Sequence, residues 1–165
     1  MKEINIYDLK FDFNDYIQGF LVTSGSFEKH NMLTAGWGNL GAFWNRPTMT
    51  VYIRKSRYTY QFIDNNDYFT CSFFDQKQAA DIIKLCGSKS GRDINKTEAC
   101  DLHPINLAGG IGFSEAKLIV VCRKLHHFDV NANDFDDSNM GNKTYPHHDF
   151  HRGYIGEIIK AYVAE

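Results

Sequence analysis

Six segments with the pattern of β-strands recur along this chain of 165 residues, and they constrain its fold more than any other feature. The clearest is the run from Thr48 to Arg54, in which Met49, Val51 and Ile53 alternate on one face. The other five predicted strands are residues 20–24, 31–36, 67–74, 116–125 and 153–163. Strands therefore dominate, and the chain is predicted to be mainly β.

Two short helices are predicted between the third and fifth strands. The first covers residues 57–65 and follows Ser56, a residue type that commonly caps a helix. The second covers residues 76–86, with Asp75 as its cap and Gly87 as its end. Few short helices among many strands predict a closed antiparallel β-barrel with short helical insertions, formed by residues 1–165 as a single domain.

Turns and loops are predicted for the rest of the chain. They are a polar turn at residues 25–30, a second turn at Asn45-Arg46-Pro47, a loop-rich segment at residues 87–112 with one helical turn near residues 96–100, and a polar loop at residues 131–148. No internal repeat or low-complexity segment suggests a further domain.

Composition narrows the class of protein. Apolar residues make up 43% of the chain and charged residues 23%, which is typical of a folded globular domain. The formal net charge is −2 with no long basic run, so we expect no nucleic-acid partner. No signal peptide or membrane-spanning run is visible, and we expect a cytoplasmic protein that does not bind membranes. The four cysteines form no CxxC pair, so they are predicted to be free thiols.

Glycines mark one candidate ligand-binding segment. Residues 36–41 match the pattern GxGxxG, but no helix follows that could hold a pyrophosphate, so a dinucleotide-binding Rossmann motif is not predicted. Two interpretations stay open. The segment is either a glycine-rich bulge or strand end, or a place where a flat ring lies against the backbone beside Trp37. The aromatic content of 15% likewise fits an aromatic core or a site for a flat ligand.

A cationic segment, residues 54–59, lies at the predicted junction of a strand and a helix. Arg54 and Arg57 carry forked donors suited to phosphate oxygens, and Ser56 and Thr59 add hydroxyl groups. A helix N-terminus there would favour an anion, although a solvated helix start with an ordinary serine cap is the alternative. Residues 88–93 would form either a second wall of the same anion site or a surface loop.

Three histidines near the C-terminus form the pattern HHxxH. His147, His148 and His151 have a spacing that a metal site can use, but the pattern precedes a strand and lacks the glutamate of HExxH, so no metal is predicted. His151 alone is a candidate to contact a ligand or exchange a proton, and an ordinary loop histidine is the alternative.

Taken in order, these pieces resemble the FMN-binding split-barrel flavin reductases, most closely the flavoredoxin-like branch. The resemblance runs from about residue 20 to the C-terminus. Its pieces are Met32-Leu33-Thr34-Ala35-Gly36-Trp37-Gly38, Asn45-Arg46-Pro47, Val51-Tyr52-Ile53-Arg54 with Ser56-Arg57-Tyr58-Thr59, Asn66-Asp67-Tyr68-Phe69-Thr70, Cys86-Gly87 with Ser90-Gly91-Arg92-Asp93, Glu115-Ala116-Lys117-Leu118, and His151 five residues before Gly156. Lys55 and Cys71 depart from the pattern, where a proline and an aliphatic residue are expected.

The resemblance implies a homodimeric split barrel with FMN near the dimer interface. The residues implied to line the isoalloxazine ring and ribityl chain are Thr34, Ala35, Gly36, Trp37, Gly38 and Asn39. Those implied to hold the phosphate are Arg54, Ser56, Arg57 and Thr59, with further contacts from Ser90 and Gly91. His151 is implied to lie near the edge of the flavin.

The function implied is that of an FMN-dependent oxidoreductase that moves electrons between a reduced donor and an acceptor. The donor would be NAD(P)H, another small molecule or a redox partner protein. The alternative is a flavoredoxin-type electron carrier that holds FMN as a fixed prosthetic group. A third interpretation, a sensor of a phosphate ligand, would involve no reducible group.

Overall fold

The computed structural model describes residues 1–165, except for the side chains of residues 76–78. The strands are β1 (Lys2–Ile4), β2 (Phe20–Gly25), β3 (His30–Ala35), β4 (Gly38–Phe43), β5 (Arg46–Arg54), β6 (Tyr68–Phe73), β7 (Pro104–Leu107), β8 (Gly110–Phe113), β9 (Leu118–Asp129) and β10 (His151–Val163). The α-helices are α1 (Phe13–Gln18), α2 (Tyr60–Asn65), α3 (Gln76–Ser88), α4 (Lys96–Ala99) and α5 (Ser138–Thr144). Within the described residues, no helix is long and apolar enough to span a membrane.

One large antiparallel sheet organises the molecule. Its strands follow the order β3-β2-β6-β9-β10-β5-β4, and β1 adds to the far end of β10. In the described structure, no backbone pairing joins the end strands β3 and β4, so the sheet is split and the predicted full closure is not observed. The predicted mainly β class and split-barrel architecture are confirmed. The separate hairpin of β7 and β8 lies beside this sheet.

Two apolar clusters cover the two faces of the sheet. Met49, Val51 and Ile53 on β5 are at most 1% exposed, which confirms the predicted alternation. They belong to a cluster in which Phe20 and Phe73 stack with ring centroids 4.9 Å apart. The opposite face packs under α3 and the β7–β8 hairpin, and residues from consecutive positions on β2 are buried because both faces are covered.

The predicted helix at residues 57–65 begins later than expected. Two successive turns precede it, in which the backbone N–H of Arg57 donates to Arg54 and that of Tyr60 donates to Arg57, each at 3.0 Å. Ser56 therefore does not cap α2; its hydroxyl donates to the carboxylate of Asp149 at 2.6 Å. Thr59 occupies the cap position, but its side chain makes no capping bond and accepts from Asn31 Nδ2 instead.

The second predicted helix also has a different end. α3 continues through Gly87 to Ser88, so the glycine does not terminate it. A Cβ at Gly87 would lie 3.3 Å from Cβ of Thr34, which shows that the glycine allows α3 to approach β3 closely.

Several elements were not predicted from the sequence. Residues 38–43 form β4 and pair with β5 through a two-residue turn at Trp44 and Asn45, both with positive φ (51° and 57°), rather than through the predicted turn at Asn45-Arg46-Pro47. The β7–β8 hairpin lies in the segment expected to be loop, and α5 lies in the predicted polar loop. β9 and β10 each extend beyond their predicted bounds, and β10 includes His151.

Candidate functional site

Two adjoining cavities lie where β3, β5 and β10 meet the C-terminal end of α3. The first has a volume of about 230 Å³ and is lined by Leu33, Thr34, Ala35, Gly36, Trp37, Tyr52, Ile53, Arg54, Arg57, Gly87 and His151. The second has a volume of about 210 Å³ and is lined by Leu33, Ser56, Arg57, Tyr58, Thr59, Ser88, Lys89, Ser90, Gly91, Arg92 and Lys96. We call them the aromatic cavity and the cationic cavity. Leu33 and Arg57 line both, so the two cavities lie next to each other.

The aromatic cavity is walled by a cluster of rings. Trp37, which is 46% exposed, lies 4.7 Å from the ring of His151 between centroids. The hydroxyl of Tyr145 hydrogen-bonds to Nδ1 of His151 at 2.8 Å, and the Tyr145 ring meets Trp37 edge-on at 6.3 Å. The Arg54 guanidinium lies over the Tyr145 ring, 5.4 Å from its centroid. A flat, partly polar ring system is the ligand that such a wall suits.

His151 is held in its neutral form. Burial lowers the pKa of His151 to about 4, the positive charge of Arg54 acts in the same direction, and the carboxylate of Asp149 opposes both. The imidazole is therefore uncharged at neutral pH and offers one nitrogen donor and one acceptor. It can hydrogen-bond a ligand in the aromatic cavity without adding charge.

Arg57 links the two cavities. Its guanidinium donates to the backbone carbonyl of Gly87 at 2.5 Å, which ties residues 54–60 to the end of α3. Because a guanidinium has five N–H donors in a fixed fork, one bond to a carbonyl leaves donors for an anion.

Lys96 is a cation of this site that the sequence did not single out. It is 4% exposed, and its Nζ donates to the carbonyls of Met32 and Cys86, each at 2.9 Å. Burial lowers the pKa of Lys96, and the nearby charge of Arg57 lowers it further. Among the described side chains, no carboxylate forms an ion pair with it. Its position at the start of α4, after the capping Asn95, is the only sequence signal that could have suggested it.

The carboxylate of Asp149 contacts two of the residues that were predicted to bind a phosphate. Its carboxylate accepts from Ser56 at 2.6 Å and lies 3.8 Å from a guanidinium nitrogen of Arg54. The sequence did not point to this residue. Its negative charge partly neutralises the cationic cavity, so it opposes the binding of an anion there.

Gly91 allows a close approach at the far wall of the cationic cavity. A Cβ on Gly91 would lie only 2.1 Å from Oδ1 of Asn31, and Asn31 in turn donates to the hydroxyl of Thr59 at 2.8 Å. This arrangement brings Ser90 and Gly91 to the same cavity as Ser56, Arg57 and Thr59.

Two predicted ring-lining residues lie elsewhere. Gly38 and Asn39 are on β4 and line neither cavity; Asn39 Oδ1 accepts from the hydroxyl of Tyr52 at 3.0 Å and borders a separate surface cleft. The other ten predicted FMN-contacting residues, and His151, line one or both cavities.

A larger groove of about 600 Å³ lies on the other side of Lys96. It is lined in part by three acidic residues, Glu28, Asp93 and Glu98, as well as by Lys96 and Arg92. These carboxylates make it a poorer match than the cationic cavity for a phosphate. The described side chains contain no cluster of three or more histidine, cysteine or acidic residues that could hold a metal, and His151 bonds to Tyr145 instead.

Solved structures with the same fold include several flavin-binding proteins. Flavoredoxin from Methanosarcina acetivorans is 22% identical with a TM-score of 0.69, and the match covers 96% of this chain and 76% of that one. An FMN-binding protein from Thermus thermophilus with bound p-hydroxybenzaldehyde is 20% identical with a TM-score of 0.69, covering 100% and 83%. An NADH:FAD oxidoreductase from Streptomyces globisporus is 14% identical with a TM-score of 0.65, covering 88% and 73%. These similarities confirm the fold.

The family is established by a different comparison. A search of curated proteins found no match. The family model described as the flavin reductase like domain, however, matches residues 18–165, which is most of the chain and includes both cavities. This confirms the family resemblance predicted from the sequence, and the chain therefore belongs to the flavin reductase-like domain family.

Proposed function

We propose that this protein binds FMN across the two cavities and works as a flavin reductase-like oxidoreductase. The observation that carries the proposal is the junction of an aromatic, glycine-containing cavity with a cationic, hydroxyl-lined one at Arg57. FMN has the matching division, with a flat ring at one end and a phosphate at the other. Membership of the flavin reductase-like family supports a flavin-related redox function.

The donor set of the cationic cavity fits a phosphate. Arg57 and the buried Lys96 supply positive charge, and Ser56, Thr59 and Ser90 supply hydroxyl groups. Together the two cavities reach the size range of small-molecule sites, about 300–1,000 Å³. The ammonium of Lys96 is buried without a carboxylate among the described side chains, and a phosphate would compensate its charge.

The protein's own part in the chemistry is placement and electrostatics. Bound FMN would supply hydride and one-electron transfer, so no side chain need act as a nucleophile. Trp37, Thr34, Ala35 and Gly36 would position the ring, and neutral His151 would hydrogen-bond near its edge without stabilising a charge. For Gly38 and Asn39, contact with FMN remains a prediction that requires the flavin to extend beyond the aromatic cavity.

Two modes of action remain to be separated. In the first, NAD(P)H reduces the flavin and an acceptor reoxidises it. This mode is supported by the similarity in fold to a protein named as an NADH:FAD oxidoreductase. In the second, FMN stays bound as the prosthetic group of an electron carrier that meets a redox partner protein, a reading favoured by the similarity to flavoredoxins. Steady-state oxidation of NADH and NADPH by the FMN-loaded protein distinguishes them, because only the first mode gives turnover.

The proposal extends to assembly and location. We propose a homodimer, because the edge strand β4 exposes Leu40 and Phe43. We propose one domain over residues 1–165, because β1 pairs with β10 near the C-terminus. A cytoplasmic location fits four cysteines that are all free thiols.

Titration with FMN tests the central proposal. The purified protein should be yellow or should quench FMN fluorescence on mixing, with saturation at one FMN per chain. A colourless protein that leaves FMN fluorescence unchanged at micromolar concentrations would overturn the assignment.

A further inference from the structure

Two of the four cysteines lie in contact at the far side of the segment that carries Ser90 and Gly91. Cys86 is in the last turns of α3 and Cys100 is the residue that ends α4, and their Sγ atoms are 3.8 Å apart. The two residues are 14 positions apart in sequence, so they bracket this segment. Cys71 and Cys122 lie elsewhere, fully buried in the core of the sheet.

We propose that Cys86 and Cys100 are a redox-active dithiol that forms an intramolecular disulfide when the protein meets a hydroperoxide. A disulfide requires an S–S distance of about 2.05 Å, so the two sulfur atoms must approach by less than 2 Å in total. This displacement is small enough for side-chain rotation and a modest shift of one backbone segment.

The backbone at Cys100, rather than that at Cys86, is expected to move when the bond forms. Cys86 is fully buried, belongs to a helix and has its carbonyl held by Lys96 Nζ. Cys100 lies outside the regular helix and precedes Asp101, which has a φ of 51° in a turn. A residue at a helix end moves at lower cost than one within a packed helix.

Exposure assigns the two chemical roles. Cys100 is partly exposed, whereas Cys86 is not, so Cys100 reaches the oxidant first. The Cys100 thiolate attacks the peroxide oxygen, the O–O bond breaks, and Cys100 becomes a sulfenic acid while the hydroperoxide leaves as an alcohol or water. The Cys86 thiolate then attacks the sulfenic sulfur, the S–S bond forms and the hydroxyl leaves as water. Two thiols are oxidised and one peroxide is reduced.

The environment of the two thiols makes their oxidation slow. Burial raises the pKa of Cys86 to about 12, and burial also raises the pKa of Cys100. Lys96 is the charged group beside both thiols, and its ammonium opposes this rise. Because the thiolate is the reacting form, oxidation should accelerate as pH rises from 7 to 8.5.

The test uses the full chain, reduced and then treated with hydrogen peroxide at pH 7 and 8.5. The intact mass should fall by two hydrogen atoms, and peptide mapping should recover Cys86 linked to Cys100 while Cys71 and Cys122 stay reduced. In Cys86→Ser, a sulfenic acid should accumulate at Cys100 and react with dimedone. In Cys100→Ser, oxidation at Cys86 should be at least about tenfold slower than wild type because the exposed thiol is gone.

Cys71→Ala is the matched control, since it removes a cysteine and keeps the pair, and it should oxidise like wild type. The wild-type mapping stands even if a variant folds poorly. Recovery of Cys100 as sulfinic acid with Cys86 still a thiol, or of any other cysteine pairing as the main product, would overturn the proposal.

Discussion

At the scale of single residues, the balance of positive and negative charges determines how strongly the candidate site can bind an anion. The cationic cavity contains Arg57 and Lys96, yet Asp149 pairs with Ser56 and Arg54 at its edge. The attraction of a phosphate to Arg57 and Lys96 must therefore outweigh its repulsion by the carboxylate of Asp149. His151, in the neighbouring cavity, is neutral at pH 7 and does not take part in this balance.

Substitution of Arg57 should separate FMN from riboflavin. A charge-assisted hydrogen bond contributes about 1.5–3 kcal/mol, so Arg57→Ala should weaken FMN binding by about 10- to 150-fold. Riboflavin lacks the phosphate, and its affinity should barely change. Trp37→Ala should weaken both ligands, because Trp37 lines the aromatic cavity in which we propose that the shared ring binds. Fluorescence titration of both ligands measures this.

Arg123→Ala is the control for that comparison. Arg123 is an arginine paired with Glu157 on the surface and lines neither cavity, so its removal should leave both affinities unchanged. Equal losses of FMN and riboflavin in Arg57→Ala would show that Arg57, through its bond to Gly87, supports the fold or the ring and does not bind the phosphate.

Removal of the Asp149 charge should have the opposite effect. Two charges 4 Å apart interact by about 1 kcal/mol in water, so Asp149→Asn should strengthen FMN binding about fivefold. It should leave riboflavin binding unchanged. The same titrations report it, and Asp136→Asn, at a carboxylate that lines neither cavity, is the control. Weaker FMN binding in Asp149→Asn would mean that the carboxylate positions Ser56 and Arg54 for the phosphate and does not compete with it.

His151 should make stability depend on pH in a defined window. Its pKa is about 4 in the folded protein and about 6.5 when unfolded, so between these values the unfolded chain binds the extra proton. The free energy of unfolding should therefore fall as pH falls from 6.5 to 4, and His151→Gln should reduce that loss. Urea unfolding at pH 7.5, 5.5 and 4 measures it.

His103 provides a control of opposite sign. Its hydrogen bond to Glu115, at 2.6 Å, raises the pKa of His103 in the folded state. The stability that this pair adds is present below pH 6.5 and is lost as pH rises through the folded pKa. His103→Gln should thus cost more stability at pH 5.5 than at pH 7.5. If His151→Gln shows that same trend, the neutral form of His151 is wrongly assigned.

At the scale of elements, the sequence pattern predicted those strands and helices whose formation depends on their own residues. The alternation of Met49, Val51 and Ile53 predicted β5, because one face of that strand is buried. β4 was missed because its residues are exposed and glycine-rich; only pairing with β5 makes it a strand. Likewise, the glycine at position 87 predicted the end of α3. In the structure it lies within the helix, because α3 packs closely against Thr34 of β3 at that position.

In the candidate site, too, residues recognisable from local sequence differ from those that enter the site through tertiary contacts. The cationic segment at residues 54–59 was recognisable because its residue types suit an anion on their own. Lys96 and Asp149 were not, because each enters the site through long-range contacts, to Met32 and Cys86 in one case and to Ser56 and Arg54 in the other. The helix N-terminus predicted to follow Ser56 lies further along the chain, since α2 begins only at Tyr60 with Thr59 in the cap position.

Gly91 should be intolerant of even one methyl group. The added Cβ of Gly91→Ala would lie 2.1 Å from Asn31 Oδ1, so Asn31 must move and its bond to Thr59 is strained. We expect a loss of about 1–3 kcal/mol of stability, typical of overpacking, and weaker FMN binding. Gly41→Ala, where a Cβ meets nothing within 4 Å, should keep its stability within error. Thermal unfolding and FMN titration of the two variants check this, and equal stabilities would contradict it.

At the scale of the whole molecule, one surface of the sheet carries unusual apolar exposure. β4 is an end strand of the sheet, and five of its residues are exposed. Large apolar side chains that are at least 36% exposed lie on β4, its turn and β9: Leu40, Phe43, Trp44, Leu125 and Phe128. An end strand with exposed apolar side chains is prone to associate, so a second copy of the chain is the natural cover for it.

The dimer that we propose should depend on this patch and should support the flavin site beside it. Sedimentation equilibrium of the wild type should give roughly twice the 19.0 kDa chain mass. Phe43→Lys places a charge within the patch and should shift the protein toward monomer. Phe27→Lys, at a side chain that is 45% exposed in the turn between β2 and β3, is the matched control and should stay dimeric. Because the aromatic cavity adjoins β4 through Trp37, loss of the dimer should also weaken FMN binding, whereas the control should bind normally. A wild-type monomer that binds FMN tightly would show that one chain completes the site alone, and the patch would then need another explanation.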